Sequence, residues 1–193
     1  MIKGGGKMIL GICGSPRDGN TSWMMRQILI EKTRSETELI FLKDMNIELC
    51  DGCLTCEETG ECIKNDDMQA IYERMGKCDK IVIGTPVYFD SVPALLKNFI
   101  DRLNPLCVNE SLKNKDIYLI VIGQLTGEEG EESRGKVIEY FKGLCEIFGM
   151  NFQKAWGVSA RNPEDASKLE NIIHVCKEIS GEIYGNAKTD RDE

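Results

Sequence analysis

The chain alternates short apolar runs with longer stretches in which apolar residues recur at helical spacing. Five of the short runs are rich in aliphatic and β-branched residues and predict β-strands at 8–13, 38–42, 80–84, 117–122 and 152–158. Short apolar runs bounded by turn residues are typical of buried strands. The pattern therefore predicts strands that follow one another along the chain with helices between them.

The stretches between these runs predict amphipathic helices. The clearest apolar stripe covers residues 92–103, and Pro93 falls in the first turn of that helix, where its missing N–H costs nothing. A shorter stripe begins at Met68, after Asn65 and Asp66 as candidate capping residues. A third stripe ends at Gly149, a residue type that commonly closes a helix in the left-handed conformation.

Alternating strands and helices predict an α/β fold with a doubly wound parallel sheet of five strands. The expected strand order is 2-1-3-4-5, with helices on both faces. In such a sheet ligands bind at the carboxyl ends of the strands, where the strand order reverses. A length of 193 residues fits a single domain spanning 1–193, with loose tails at 3–7 and 187–193.

Composition narrows the class of protein. Hydrophobic residues make up 41% and charged residues 29%, which is typical of a soluble globular protein. A net charge of −8 argues against a nucleic-acid partner, because a basic surface is needed there. No apolar stretch approaches the roughly 20 residues of a membrane span. The first apolar run is better explained as a strand than as a secretory signal, so we expect a cytoplasmic protein.

Four cysteines form a compact C-x2-C-x2-C-x5-C motif: Cys50, Cys53, Cys56 and Cys62. Ferredoxin-type runs use the same two-residue intervals to bring successive thiolates to one iron–sulfur cluster. Gly52 and Gly60 supply the positive φ angles that such a tight loop needs. The spacing favours a cluster site on this loop.

Other roles for these cysteines remain open. Zinc usually takes two separate C-x2-C pairs. Here Cys53 would belong to both pairs, so zinc stays an alternative that this spacing suits less well than a cluster. Disulfides are disfavoured in the expected reducing compartment. The remaining cysteines lie beside apolar residues and are interpreted as ordinary core positions: Cys13, Cys78, Cys107, Cys145 and Cys176.

The first predicted strand leads directly into GSPRDGNTS, residues 14–22. A glycine-rich turn at the start of a helix is an anion site, because its backbone N–H groups and the helix dipole favour a phosphate. Asn20 stands where a nucleoside-triphosphate loop carries lysine, which disfavours that ligand. The hydroxyl groups and Arg17 suit a terminal monophosphate. A capped turn without a ligand is the alternative.

A second loop, TPVYFDSVP at 85–93, follows the third predicted strand. Tyr88 and Phe89 are consecutive, so in an extended loop they cannot both face the core. One of them is then available to line a flat aromatic ligand. The alternative is a pair of ordinary anchoring aromatics.

Together, GSPRDGNTS, the cysteine motif and TPVYFDSVP followed by LKNFIDR resemble the iron–sulfur flavoproteins of the flavodoxin-like NAD(P)H:FMN reductase superfamily. The resemblance covers roughly residues 7–103. It implies FMN, with its phosphate on one group of residues and its isoalloxazine ring on another: Ser15, Pro16, Arg17, Asn20, Thr21 and Ser22 for the phosphate loop, and Pro86, Val87, Tyr88, Phe89 and Ser91 for the ring. It also implies a 4Fe–4S cluster on the four loop cysteines.

The resemblance further implies a homodimer or homotetramer with FMN near a subunit interface, to which an exposed Trp23 would contribute. Its partners would be a reduced donor, NAD(P)H or ferredoxin, and a small redox acceptor. The loop that follows the fourth predicted strand carries Glu128 and Glu129, and this acidity disfavours a contact with the flavin ring.

The expected function is a flavin-dependent oxidoreductase that moves electrons between a donor, FMN and the cluster. No side chain is needed as acid or base, and Asp101 with Arg102 is interpreted as a structural ion pair. The alternatives are a cluster-free NAD(P)H-dependent FMN or quinone reductase, and a carrier or sensor in which the cysteine loop binds zinc or reacts through its thiols.

Overall fold

A computed structural model describes residues 8–29 and 36–185. Its centre is a parallel sheet of five strands in the order 2-1-3-4-5. The strands are β1 (Ile9–Cys13), β2 (Thr37–Phe41), β3 (Lys80–Pro86), β4 (Asp116–Gly123) and β5 (Asn151–Ser159). The predicted fold and strand order are confirmed, and every predicted strand agrees with the structure to within two residues at each end. The predicted tails at 3–7 and 187–193 lie outside the described residues.

Eight α-helices connect or flank the strands in the described part of the chain. They are α1 (Asn20–Leu29), α2 (Thr55–Thr59), α3 (Met68–Lys77), α4 (Ala94–Asp101), α5 (Asn104–Val108), α6 (Gly127–Phe148), α7 (Asp165–Lys168) and α8 (Glu170–Tyr184). A short 3-10 helix at Leu42–Asp44 follows β2. Across 8–29 and 36–185, no helix is long and apolar enough to cross a membrane.

The helices form two layers because the central strands bury both faces. Leu10 and Ile12 of β1 point into one apolar layer, with residues of α3, α4 and α6. Ile9 and Cys13 point into the other layer, with residues of α1 and α8. Side chains alternate across a strand, so one short strand serves both layers. This packing fixes the carboxyl ends of all the strands at one edge.

The helix ends follow local chemistry. Gly149 closes α6 at a φ of 64°, as its position in the sequence predicted. The single helix predicted over 92–103 is divided, because α4 ends at Asp101 and a second helix begins at Asn104. Pro105 occupies the first turn of α5, where proline is tolerated although it could not continue α4. This break turns the chain towards the cysteine loop.

Four of the five cysteines assigned to the core are buried: Cys13, Cys78, Cys145 and Cys176; Cys107 is half-buried. Burial raises the pKa of the Cys78 and Cys145 thiols to about 11. These thiols are therefore protonated and unreactive at neutral pH, which fits a purely structural role.

Candidate functional site

A cavity of about 760 Å³ opens at the carboxyl ends of the strands. Its walls are the loops that follow β1, β3, β4 and β5. This volume lies within the range of small-molecule and cofactor pockets, roughly 300–1,000 Å³. We call it the carboxyl-edge cavity, and it occupies the switch point where ligands of doubly wound sheets bind.

Most of the predicted flavin residues line this cavity. They are Ser15, Arg17, Asn20, Thr21, Pro86, Val87, Tyr88 and Phe89. The other three predicted residues, Pro16, Ser22 and Ser91, do not line it. The sequence therefore identified one connected region of the fold, and the space beside it is large enough for a ligand.

The loop after β1 is held in shape by its own hydroxyl groups. Ser15 Oγ donates to the Arg17 carbonyl at 2.7 Å, and Ser22 Oγ donates to the same carbonyl at 3.1 Å. The loop then enters α1 at Asn20, so the free backbone N–H groups of the first helical turn lie at the cavity wall. Such a helix start, in a helix of ten residues, suits a phosphate.

Asn20 has a second role that sequence reasoning missed. Its Nδ2 donates to the Asn162 carbonyl at 2.7 Å, and its Oδ1 accepts from the Ala166 N–H at 2.9 Å. Both ends of the amide are therefore used to tie the start of α1 to the loop after β5 and to the first turn of α7. The loop after β5 brings Ala160 and Arg161 to the cavity wall, and no local motif in the sequence marks them.

The loop after β3 forms a tight turn and is not extended as the sequence suggested. Phe89 and Asp90 have φ angles of 49° and 57°, and Tyr88 and Ser91 exchange backbone hydrogen bonds around them. A left-handed conformation costs a residue such as phenylalanine roughly 1–3 kcal/mol. The turn leaves Tyr88 42% exposed and Phe89 fully exposed at the rim of the cavity.

Asp90 fixes this turn to α6. Its Oδ1 accepts from Ser133 Oγ at 2.6 Å, and its Oδ2 accepts from Lys136 Nζ at 2.8 Å. The Lys136 ammonium and the Ser133 hydroxyl hold the pKa of Asp90 below its ordinary value. The charged form of Asp90 is therefore the form that holds Phe89 in place.

The loop after β4 also reaches the cavity, and its acidic residues lie apart from the part that does so. Gln124 and Leu125 line the wall, whereas Glu128 and Glu129 are exposed in the first turn of α6. Carboxylates are favourable at a helix N-terminus, which accounts for the acidic composition without a ligand. Gly130 is needed here, because a Cβ at this position would come within 2.3 Å of the Leu125 carbonyl oxygen.

Arg134 supports the same loop from below. Its Nη1 donates to the Leu125 carbonyl at 2.9 Å and to Ser159 Oγ at 2.9 Å. The side chain is buried and packs against Gly123 and Gly157. Arg134 therefore joins the ends of β4 and β5 at the cavity, a role that the sequence did not suggest.

A second cavity, of about 310 Å³, is lined by all four cysteines of the motif. We call it the cysteine cavity. The loop needs the left-handed conformation at Gly52 and Gly60, as predicted, with φ angles of 68° and 73°. It also needs this conformation at Leu54, with a φ of 63°, which no glycine signals. Within the described residues, no three His, Cys, Asp or Glu side chains are arranged as a metal site.

A buried ion pair anchors the cysteine loop. The Nη1 and Nη2 groups of Arg102 donate to the two carboxylate oxygens of Asp66 at 2.6 and 3.1 Å. Each side chain is only 1% exposed. Burial opposes ionisation of Asp66, but the bonds from Arg102 and from backbone N–H groups outweigh it and lower the pKa of Asp66. The pair is therefore charged in the folded protein.

Arg102 also holds the loop directly. Its Nη1 donates to the Glu48 carbonyl at 2.7 Å, and Tyr72 Oη donates to the carbonyl of Arg102 itself at 2.5 Å. The interpretation of Asp101 and Arg102 as an ion pair with each other was wrong. Asp101 pairs with Lys97 on the preceding turn of α4, while Arg102 points into the loop and pairs with Asp66.

The chemistry of the cysteine cavity fits an iron–sulfur cluster. Four thiols surround one space, and two of them already receive N–H groups. Arg102 Nη2 donates to Cys62 Sγ at 3.5 Å, and Asn104 Nδ2 donates to Cys56 Sγ at 3.2 Å. Such bonds stabilise negative charge on sulfur, and cluster ligands need that stabilisation.

The two cavities lie at different places along α4. The loop that lines the carboxyl-edge cavity leads into the start of this helix at Ala94. The residues just before the cysteine motif instead contact Asn98 and Arg102 further along this helix, through the carbonyl groups of Ile47 and Glu48. At 1.5 Å per residue, Ala94 and Arg102 are separated by about 12 Å along the helix axis. The contacts of the two loops with α4 are therefore about two helical turns apart.

Comparisons with known proteins agree with these observations. The model of the family described as NADPH-dependent FMN reductase matches residues 8–144. An iron–sulfur flavoprotein of Methanocaldococcus jannaschii is 41% identical over 118 residues, which cover 60% of this chain and 61% of that protein. The match thus spans about three fifths of that relative's length. An iron–sulfur flavoprotein of Methanosarcina thermophila is 32% identical over 181 residues, which cover 89% of this chain and 92% of that protein.

A solved structure shows the same architecture. An NAD(P)H:quinone oxidoreductase from Methanothermobacter marburgensis aligns with a TM-score of 0.71. The alignment covers 92% of this chain and 99% of that one at 16% identity. At this identity the similarity shows a shared fold and nothing about the substrate.

Proposed function

Because the chain belongs to the iron–sulfur flavoprotein family, within the NADPH-dependent FMN reductase superfamily, we propose that it is a flavin-dependent oxidoreductase with two redox groups. FMN would occupy the carboxyl-edge cavity, and a 4Fe–4S cluster would occupy the cysteine cavity. Bound FMN exchanges two electrons with a donor and releases them singly, while a cluster passes one at a time. The observation that carries the proposal is the presence of both cavities, one at the switch point and one lined by four cysteines, in one chain.

The roles of the residues follow from their positions. Ser15, Arg17 and the start of α1 would hold the FMN phosphate, since they combine hydroxyl groups, a positive charge and free N–H groups at the cavity wall. Pro86, Val87 and Tyr88 would lie along the isoalloxazine ring. Phe89, fully exposed at the rim, would limit the access of water to it. Cys50, Cys53, Cys56 and Cys62 would bind the iron atoms.

The proposed donor is a nicotinamide nucleotide, as the family description suggests. The acceptor would be a small redox compound. We also propose a homodimer or homotetramer, because the apolar side chains Tyr88, Phe89 and Leu125 are exposed beside the carboxyl-edge cavity. Trp23, predicted to be exposed, is half-buried and contributes less to such an interface. A monomer in sedimentation experiments with FMN fully bound would contradict the assembly.

The decisive experiment is anaerobic purification followed by measurement of FMN, iron and acid-labile sulfide per chain. Flavin together with iron and sulfide in the proportion of one 4Fe–4S cluster is the expected result. The Cys56→Ser variant should lose iron and keep FMN. Cys107→Ser is the matched control, because Cys107 is half-buried and lies outside the cysteine cavity.

The flavin site has its own test. Ser15→Asp places a carboxylate at the proposed phosphate site and should abolish FMN binding through charge repulsion, while iron is retained. Ser111→Asp makes the same change on a segment away from both cavities and should bind FMN normally. Full FMN occupancy in Ser15→Asp would contradict the assignment of the phosphate loop.

A second candidate function has one observation in its favour. Among the described residues the four thiols are not arranged as a metal site. A cluster-free FMN or quinone reductase, or a protein whose cysteine loop reacts through its thiols, would fit that arrangement. A zinc site on the loop is a further alternative, which rests on the cysteine spacing alone. A yellow anaerobic preparation that contains zinc, or no metal at all, would favour this candidate over the first.

A further inference from the structure

Two side chains that the flavin chemistry does not use donate hydrogen bonds to sulfur in the cysteine cavity. Arg102 Nη2 reaches Cys62 Sγ at 3.5 Å, and Asn104 Nδ2 reaches Cys56 Sγ at 3.2 Å. Arg102 lies at the end of α4 and Asn104 begins α5. The break between the two helices therefore aims two donors at two different cysteines.

The position of Arg102 is fixed by partners other than sulfur. Arg102 Nη1 donates to Asp66 and to the Glu48 carbonyl, and Arg102 Nη2 also donates to Asp66. Its Nε is buried and has no partner among the described residues. An unpaired buried donor is destabilising, because it has lost its hydrogen bonds to water without replacement. The guanidinium is thus held towards Cys62 although this orientation leaves one of its own groups unsatisfied.

The two donors bring no net charge to the cysteine cavity, unlike the acidic residues on the surface of the cysteine loop. Arg102 and Asp66 are both buried and form a pair with no net charge. The pair therefore affects the nearby sulfur through the N–H···S bond from Arg102 to Cys62. Asn104 is neutral and acts only through its bond. By contrast, Glu57, Glu58 and Glu61 are exposed carboxylates that act through solvent.

We propose that Arg102 and Asn104 set the reduction potential of the cluster by donating N–H bonds to two of its four sulfur ligands. The inference rests on the proposed iron–sulfur function. Reduction of a cluster adds one negative charge, which is spread over its sulfurs. Donors to sulfur stabilise that added charge, so they raise the potential. They act against the exposed carboxylates, which lower it.

The experiment is a redox titration of the full-length protein, purified anaerobically and followed by electron paramagnetic resonance of the reduced cluster. Asn104→Ala removes one donor and should lower the midpoint potential. Asn104→Asp replaces the donor with a carboxylate and should lower it further. Arg102→Lys keeps the charge but replaces the two Nη groups, of which Nη2 reaches Cys62, with a single nitrogen, so it too should lower the potential.

Asn109→Ala is the matched control. Its Nδ2 also bonds to the cysteine loop, at the Gly60 carbonyl and at 3.4 Å, but it touches no sulfur. The potential of this variant should equal that of the wild type. A shift in Asn109→Ala as large as that in Asn104→Ala would mean that loop rigidity sets the potential, and the proposal would fail.

Iron and sulfide are also measured in every variant, which distinguishes a protein without a cluster from one whose cluster potential does not depend on these donors. A wild-type protein without iron and sulfide overturns the proposed function and this inference with it. A wild-type protein with a full cluster, and an unchanged potential in both Asn104 variants, overturns only the inference. Loss of iron from Asn104→Ala would show a structural role alone and would also count against it.

Discussion

The carboxyl-edge cavity and the cysteine cavity are built in different ways. The first is assembled from four separate loops at the ends of β1, β3, β4 and β5, and buried polar side chains such as Asn20 and Arg134 join those loops to one another. The second is formed mainly by one exposed segment, residues 50–64, placed against α4 and α5. Hydrogen bonds from Arg102, Asn104 and Asn109 hold that segment to the body of the protein, and Arg102 is itself fixed by its buried ion pair with Asp66.

The difference shows what each site depends on. The parallel sheet creates the carboxyl-edge cavity, because every strand ends at the same edge and its loop must turn there. The cysteine cavity needs nothing from the sheet except a place to attach. Its shape depends on backbone turns within the segment and on the ion pair. Mutations should therefore affect the two sites separately, and four experiments can test that separation.

The largest effect is expected from Asp66→Ala. It leaves Arg102 charged, buried and without its carboxylate, and breaking a buried pair in this way typically costs 3–5 kcal/mol. The free energy of unfolding, measured with urea, should fall by about that amount, and iron should be lost before FMN. Asp44→Ala removes an exposed pair with Lys43 and should leave the free energy of unfolding almost unchanged, because exposed ion pairs contribute little to stability. Equal loss of FMN and iron in Asp66→Ala would contradict the independence of the two cavities.

A smaller effect, at the other cavity, is expected from Asn20→Ala. The change leaves the Asn162 carbonyl and the Ala166 N–H without partners, at a cost of roughly 1–3 kcal/mol. FMN affinity should fall while iron content is unchanged. Asn151→Ala removes amide hydrogen bonds at the start of β5, away from both cavities, and should leave both cofactors bound.

The turn at Phe89 should respond to acid through Asp90. Lys136 and Ser133 lower the pKa of Asp90 from its ordinary value of 3.8. A carboxylate with a depressed pKa in the folded state contributes above its ordinary pKa, and this contribution is lost as the pH falls through the depressed value. FMN affinity of the wild type should therefore exceed that of Asp90→Asn at pH 6, and the two should converge as the pH falls below about 4. A constant difference across this range would exclude the carboxylate as the cause.

The smallest effect is expected from the acidic surface of the cysteine loop. Glu57, Glu58 and Glu61 are exposed, and together they oppose the negative charge that reduction adds. Their replacement by glutamine should raise the cluster potential slightly at low ionic strength. The shift should vanish in high salt because exposed charges are screened within about 10 Å at 0.1 M. The same three-residue change at Glu128, Glu129 and Glu131, on α6, is the matched control.

Much of the fold could be predicted because it depends on local patterns. The five apolar runs gave the strands, and their alternation with helices gave the parallel sheet. The resemblance to flavodoxin-like reductases gave the strand order, which the structure shows. The positive φ angles at Gly52, Gly60 and Gly149 follow from residue type and position. Two loops at the sheet edge could be recognised by composition, and eight of the eleven residues named for the flavin line one cavity.

The missed features depend on residues far apart in the sequence or on backbone that the residue type does not favour. Asn20 bonds to Asn162 across 142 positions and to Ala166 across 146. Phe89 adopts a left-handed φ that a phenylalanine does not signal, because Asp90 is held by α6. The sequence suggested an ion pair between Arg102 and its neighbour Asp101. Adjacent residues on a helix point in different directions, so each pairs with another residue.

The sequence by itself determined the elements, their parallel arrangement, the edge where the loops form a cavity and the four cysteines of one loop. These features follow from the periodicity of side chains and the spacing of residues, and both are local properties of the sequence. Only the tertiary structure decided which side chains serve those sites. Arg102 and Asn104 reach Cys62 and Cys56 across 40 and 48 positions, because α4 breaks beside the loop and a buried charge must find its partner.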